Sequence, residues 1–96
     1  MVITKILVQR KIKPGTEREF KRLMREVLAI AAHVDGFISG ETLQSVDDPT
    51  LHVTISQWKD MASWNSWINS ADRKKKQEEY DKILAEPMKV TALQYE

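Results

Sequence analysis

His52, Thr54, Ser56 and Trp58 alternate with Leu51, Val53, Ile55 and Gln57, so an extended segment there gathers an imidazole, two hydroxyls and an indole on one face. An imidazole near its ordinary pKa of ~6.5 can accept a phenolic proton, which makes His52 a candidate general base. Trp58, Trp64 and Trp67 offer broad indole faces and N–H donors to a flat aromatic substrate. Asn65 and Asn69 lie four residues apart beside Trp67, and their amides suit a substrate carbonyl or an oxygen-derived intermediate. His52 and Asn65 are therefore the catalytic candidates, and Trp67, Trp58, Trp64 and Asn69 the substrate-binding ones. Each has a plainer expectation beside it: core packing for the tryptophans, a wet interface for the His52 face, surface or capping positions for the asparagines.

Other chemistry has less support. The chain has no cysteine, which excludes disulfides, thiolate metal sites and a thiol nucleophile. His33-x-Asp35 lacks a third ligand, so no metal site is expected. Arg10 on the first strand could pair with an acidic ligand group, although an edge charge is the default expectation. Tyr80 falls on an apolar side with Ile83 and Leu84 and should pack. The run Arg73-Lys74-Lys75-Lys76 is followed at once by Glu78, Glu79 and Asp81, the pattern of a solvated helix face rather than a nucleic-acid patch. Fifteen basic against fourteen acidic residues, net charge +1, leave no field to recruit nucleic acid or anionic lipid. Glycine-rich phosphate loops, nucleophile elbows and HExxH motifs do not occur.

The elements that must position these residues are legible from periodicity. Val2 to Ile12 is dense in aliphatic residues and stops at Lys13-Pro14-Gly15, a strand followed by a turn. Thr16 and Glu19 form a capping-box pattern at the start of a helix whose stripe is Phe20, Leu23, Met24, Val27, Leu28 and Ala31. Asp35-Gly36 ends it. Phe37 to Val46 and Leu51 to Trp58 read as two strands around Asp47-Asp48-Pro49, and Lys59-Asp60 opens a second helical region with a break near Asn69-Ser70. Glu86-Pro87 ends that region before a last strand, Met88 to Tyr95. The order β-α-β-β-α-β predicts an α+β, ferredoxin-like fold with an antiparallel sheet, one domain over residues 1–96. A chain this short leaves much apolar surface uncovered, so self-association is expected. No apolar run approaches the ~20 residues of a bilayer span, and a cytoplasmic protein with no membrane partner is expected.

Three ordered signatures, Lys13-Pro14-Gly15-Thr16, Asp35-Gly36-Phe37-Ile38-Ser39-Gly40 and the pair Trp58 and Trp67, give the chain a resemblance to the antibiotic-biosynthesis monooxygenase family over nearly its whole length. The resemblance implies a homodimer in which two sheets pack into a dimeric α/β barrel, with a pocket between helices and sheet. It also implies oxidation of phenolic substrates by molecular oxygen with neither metal nor flavin. The stretch Ser63 to Ser70 is similar to the family's haem-degrading branch, where a tryptophan matching Trp67 contributes to the haem pocket. That branch's proximal histidine corresponds to Gln77 here and its pocket asparagine to Val8; an amide is a poor iron ligand, and valine gives iron-bound oxygen no hydrogen bond. The expectation is a cofactor-independent monooxygenase acting on a small aromatic or quinol-like substrate. The alternatives are a non-catalytic ligand-binding module on the same scaffold and a haem-binding or haem-degrading relative.

Overall fold

The computed structural model describes residues 2–96. Strand β1 spans Thr4–Lys11, helix α1 Glu17–Ala31, β2 Phe37–Gln44, β3 Leu51–Trp58, α2 Met61–Ile68, α3 Ala71–Ile83 and β4 Lys89–Gln94. The strands form one antiparallel sheet in the order β2-β3-β1-β4, so the two β-α-β crossovers interleave and the fold is ferredoxin-like α+β. β1 is thereby interior, paired with β3 on one side and β4 on the other.

Side-chain alternation sorts each strand into an inner face, under the helices, and an outer one. On β1 the inner residues are Thr4, Ile6, Val8 and Arg10, all buried. Phe20, Leu23, Val27 and Ala31 of α1 close over them, with Trp64 and Trp67 of α2 and Tyr80 and Ile83 of α3 completing the core. Ile6, Ile12, Phe20 and Leu23 are almost wholly buried, each contributing about 1.5–3 kcal/mol over an exposed position. Ala85 N–H donates to the Lys11 carbonyl (2.7 Å) and Lys13 N–H to that of Ile83 (2.7 Å), fastening the end of α3 to the end of β1.

The outer face carries Leu7 opposite Ile55 and Val53 opposite Leu43, and no helix covers it. Leu43 and Leu93 there are 51% and 50% exposed. β4 is exposed along its whole length, on both faces.

Two local expectations meet different outcomes. The capping box does not form: the Thr16 hydroxyl donates to the Lys13 carbonyl (2.6 Å) instead of accepting from the helix, and the Glu19 carboxylate pairs with Arg22. The turn competes successfully for the hydroxyl, since Thr16 reaches the Lys13 carbonyl without entering the extended conformation a capping residue needs. The caps of the second helical region do form, Asp60 accepting from Ser63 N–H (2.8 Å) and Ser70 from Arg73 N–H (3.2 Å). The break near Asn69-Ser70 is the junction of α2 and α3.

Gly36, at φ +90°, takes a conformation that disfavours L side chains, and a Cβ there would overlap the Ser63 hydroxyl in the first turn of α2. The turn after α1 and the start of α2 thus share a contact that only glycine fits. Gly15, at φ +87°, has open space around it. At a fixed protein concentration, Gly36→Ala is expected to cost at least about 2 kcal/mol, roughly 10 °C of Tm, and Gly15→Ala only the backbone strain of about 1 kcal/mol, roughly half that shift. Thermal denaturation followed by circular dichroism checks the order, and equal shifts for the two would show that the Ser63 contact is unimportant.

Candidate functional site

Between the inner face of β2 and β3 and the helices α1 and α2 lies a cavity of about 200 Å³. Its apolar wall is aromatic. Trp58, the last residue of β3, meets Phe37 edge-on at 5.2 Å and Trp64 edge-on at 5.7 Å, and stacks with Trp67 at 6.3 Å and 26°. The Asp60 cap begins α2 two residues after Trp58, so Trp64 and Trp67, three apart, both turn back onto the sheet. The Trp58 indole N–H donates to Ser56 Oγ (3.0 Å), which fixes its ring. Val8, Met24, Val27 and Ala31 close the deep side, and Arg25, Leu28 and the segment 40–42 of β2, mostly exposed, bound the mouth.

The polar groups of the cavity include Thr54, Ser56, Arg10 and Arg73. Arg10 is 4% exposed and Arg73 2%. An edge charge and a solvated face, the expectations for these two, are both overturned. Arg10 sits in phase with Ile6 and Val8 on an interior strand, and the Ser70 cap sets the rotation of α3 so that Arg73 turns inward while its lysine neighbours do not. The strand alternation contained the Arg10 signal: Ile6 and Val8, the two inner-phase residues before it, are apolar and buried.

Arg10 Nη1 donates to Thr54 Oγ1 (3.1 Å), which shares a hydrogen bond with Thr42 Oγ1 (2.9 Å), and its Nε has no hydrogen-bond partner. Its guanidinium carbon lies 4.5 Å from the centre of the Tyr80 ring, and that of Arg73 5.3 Å from the same centre. Arg73 Nη1 donates to Gln77 Oε1 (3.0 Å), and Gln77 Nε2 to Asp81 Oδ1 (2.9 Å). Burial pulls the Arg10 pKa down to about 10 and lowers that of Arg73, while burial raises that of Tyr80. Tyr80 donates its hydroxyl to Met24 Sδ (2.9 Å). The site is therefore an aromatic box with a cationic end, suited to a flat ligand and to stabilising negative charge in a poorly hydrated space.

Trp58, Trp64 and Trp67 come together at the cavity wall, buried yet facing open volume. His52 and the asparagines do not join them. His52, the register partner of Arg10, lines an adjoining depression that shares Met24, Arg25 and Thr42 with the cavity, its ring 4.4 Å from that of Phe20 and its Nε2 unpartnered among the described residues. Asn65 is exposed on α2 and Asn69 is exposed just past its end, where Asn69 Nδ2 donates to the Asn65 carbonyl (2.9 Å), capping the helix. Gln77 is held between Arg73 and Asp81 and presents no ligand to the cavity, whereas Val8 is part of its wall. Among the described residues, no three His, Cys, Asp or Glu side chains cluster to hold a metal ion.

The family model described as antibiotic biosynthesis monooxygenase matches residues 3–79. A 42.8 kDa protein in the whiE locus of Streptomyces coelicolor is 26% identical over 66 residues, 69% of this chain; the chain spans only 17% of that relative's length. A conserved protein from Methanosarcina mazei Go1 has the same fold at a TM-score of 0.93, with 19% identity, over 100% of this chain and 95% of the other. SnoaB, a cofactor-independent oxygenase from Streptomyces nogalater, superposes at a TM-score of 0.90 with 14% identity, over 100% and 95% of the two chains.

Burial lowers the His52 pKa below the ordinary 6.5. The unfolded chain therefore binds its proton more readily, so the neutral ring's contribution to stability is present above pH 6.5 and is lost as pH falls from there toward the folded value. Tm is expected to decline from pH 6.5 to about 5, above the range where carboxylates protonate, and His52→Phe is expected to flatten that part of the profile. An unchanged slope in the variant would remove His52 as its source.

Proposed function

The chain belongs to the antibiotic biosynthesis monooxygenase family, and on that premise we propose that it is a cofactor-independent monooxygenase enclosing a small aromatic or quinol-type substrate in the tryptophan-walled cavity. The observation that carries this reading is the stacked pair Trp58 and Trp67 beside open volume, with polar groups gathered at one end. Trp67 and Trp58 hold the substrate's rings, Trp64 closes the wall behind them, and Thr54, Ser56 and Arg10 meet its oxygen atoms. The substrate supplies the electrons. Loss of a proton from an activated CH₂ to water leaves a carbanion, which gives one electron to O₂. Recombination of the radical with superoxide forms the C–O bond of a peroxide anion, which takes a proton back from water, and loss of water from the hydroperoxide leaves a carbonyl, so one oxygen atom enters the product and the other leaves as water.

His52 lines the adjoining depression and not the tryptophan-walled cavity, and Asn65 lies on an exposed helix face, so neither is given a step here, which favours a second reading, a binding module on the same scaffold. The two separate in one experiment. Incubation with a panel of phenols and quinols, without added metal or flavin, should show oxygen uptake together with quenching of tryptophan fluorescence. Trp67→Ala should lower kcat/KM at least ~10-fold, about 1.4 kcal/mol. Quenching with no uptake across the panel would leave the binding module standing alone.

A homodimer formed through the outer face of the sheet is part of the same proposal, since Leu7, Leu43, Val53 and Ile55 form an aliphatic surface that no helix among the described residues covers. Light scattering at micromolar concentration should give twice the 11.1 kDa chain mass, and Ile55→Asp should return the monomer. A monomeric mass for the unaltered protein would defeat the proposal.

A further inference from the structure

We infer that the Arg10 end of the cavity is a receptor for an anionic oxygen, so that the ligand is a one- or two-ring aromatic carrying a carboxylate or an ionised phenol. The inference shares its cavity with the monooxygenase reading and names the charge of what enters.

Arg10 is buried, charged and short of partners. Among the described residues its only hydrogen-bond acceptors are the Thr54 hydroxyl and the distant sulfur of Met24 (3.9 Å), both weak for a guanidinium, and its Nε–H has none. More than ~90% of buried polar groups in folded proteins find a partner. No carboxylate among the described residues pairs with it. Glu26 and Glu79 are engaged by Arg22 and Lys76, and Asp81 is reached only through Gln77, which serves Arg73. The Tyr80 ring partly compensates, but a cation–π contact is worth about 0.5–2 kcal/mol, against several for desolvating an ion. A second guanidinium near the same ring makes the balance worse. An anion arriving between Trp58 and Arg10 would supply the missing acceptor.

The dimensions set the rest of the ligand. An apolar cavity of ~150 Å³ admits benzene, so about 200 Å³ suits one ring or two small fused ones. The ring plane is set by Trp58 and Trp67, and the oxygen must sit at the end where Arg10 and Thr54 lie. A charge-assisted hydrogen bond in such a site is worth about 1.5–3 kcal/mol, roughly 10- to 100-fold in affinity.

Three probes of nearly equal size test this on the unaltered protein by tryptophan fluorescence and probe absorbance: 2-naphthoate, 2-naphthamide and 2-naphthol. The acid should bind at least ~10-fold tighter than the amide at neutral pH. Bound 2-naphthol should ionise at least one pH unit below free naphthol, because a nearby cation lowers a phenol's pKa where a merely apolar cavity would raise it. Arg10→Met should bring acid and amide to within about twofold of each other and reverse the naphthol shift, with an unchanged circular dichroism spectrum as the sign of an intact fold. Equal binding of acid and amide, a raised naphthol pKa, or failure of all three probes to bind would overturn the inference. If Arg10→Met does not fold, the two measurements on the unaltered protein decide. Acid preference without oxygen uptake on any substrate would sink the monooxygenase and keep the receptor; turnover of neutral substrates with no acid preference would do the reverse.

Discussion

A strand in the middle of a sheet must present every second residue to whatever covers that sheet, and β1 is such a strand. Its inner row begins Thr4, Ile6, Val8 and then reaches Arg10, with no freedom to turn that side chain outward short of shifting the register. Register is held from both sides, by Leu7 against Ile55 and by Val8 against Val90. A charge is therefore carried inside by strand geometry, and the surroundings answer it: Thr54 one strand over, Tyr80 and Met24 from the helices above. Those residues are large or polar and do not close over it as aliphatic ones would. The cavity lies where they stop and the tryptophans begin.

Helix α2 converts that gap into a site. It has only eight residues, too few to be stable by propensity, and depends on its cap and on packing. Asp60 holds the first turn through Ser63, Ser63 rests where Gly36 leaves room, and of the helix's two tryptophans Trp67 stacks on the one that ends β3 while Trp64 meets it edge-on. The same few contacts that fold α2 thus set the orientation of the cavity wall. Stability and ring geometry are not separable here. The opposite, outer face of the sheet has no such cover, which is the physical ground for expecting a second copy.

Much of the fold was legible because it rests on local periodicity. The strand alternation of Leu51 to Trp58, the helical stripe from Phe20 to Ala31 and the stops at Gly36 and Asn69-Ser70 all survive in the structure. The site was harder to read, for reasons of distance and of topology. His52 and Trp58 share a face but stand at opposite ends of β3, about 20 Å apart, so His52 lies level with Arg10 and away from the aromatic wall, where its shorter side chain does not line the cavity. Asn65 and Asn69 are near Trp67 in sequence but on the far side of a helical turn. Arg10 looked like an edge charge because strand order is not written in any one strand; only the pairing of β4 against β1 makes the first strand interior. Arg73 was hidden in a basic run in which the lysine beside it, Lys74, is exposed.

The local rules of sequence and structure agree along most of this chain and fail together at one place. A buried guanidinium without a carboxylate, a threonine where a strand could carry valine, and tryptophans that leave open space beside them each cost stability, and each has an obvious apolar replacement. Were the arrangement structural, those costs would have no return. Their convergence on a single cavity, with the aromatic wall on one side and the unsatisfied cation at the end, is what a binding site for a flat anion requires: the protein holds its half of the interaction in advance, and the reorganisation is complete before the ligand arrives. A reaction in which the substrate itself becomes an anion before meeting oxygen would draw on that same preorganised charge, so affinity for the ionised ligand and assistance to its ionisation are two readings of one contact.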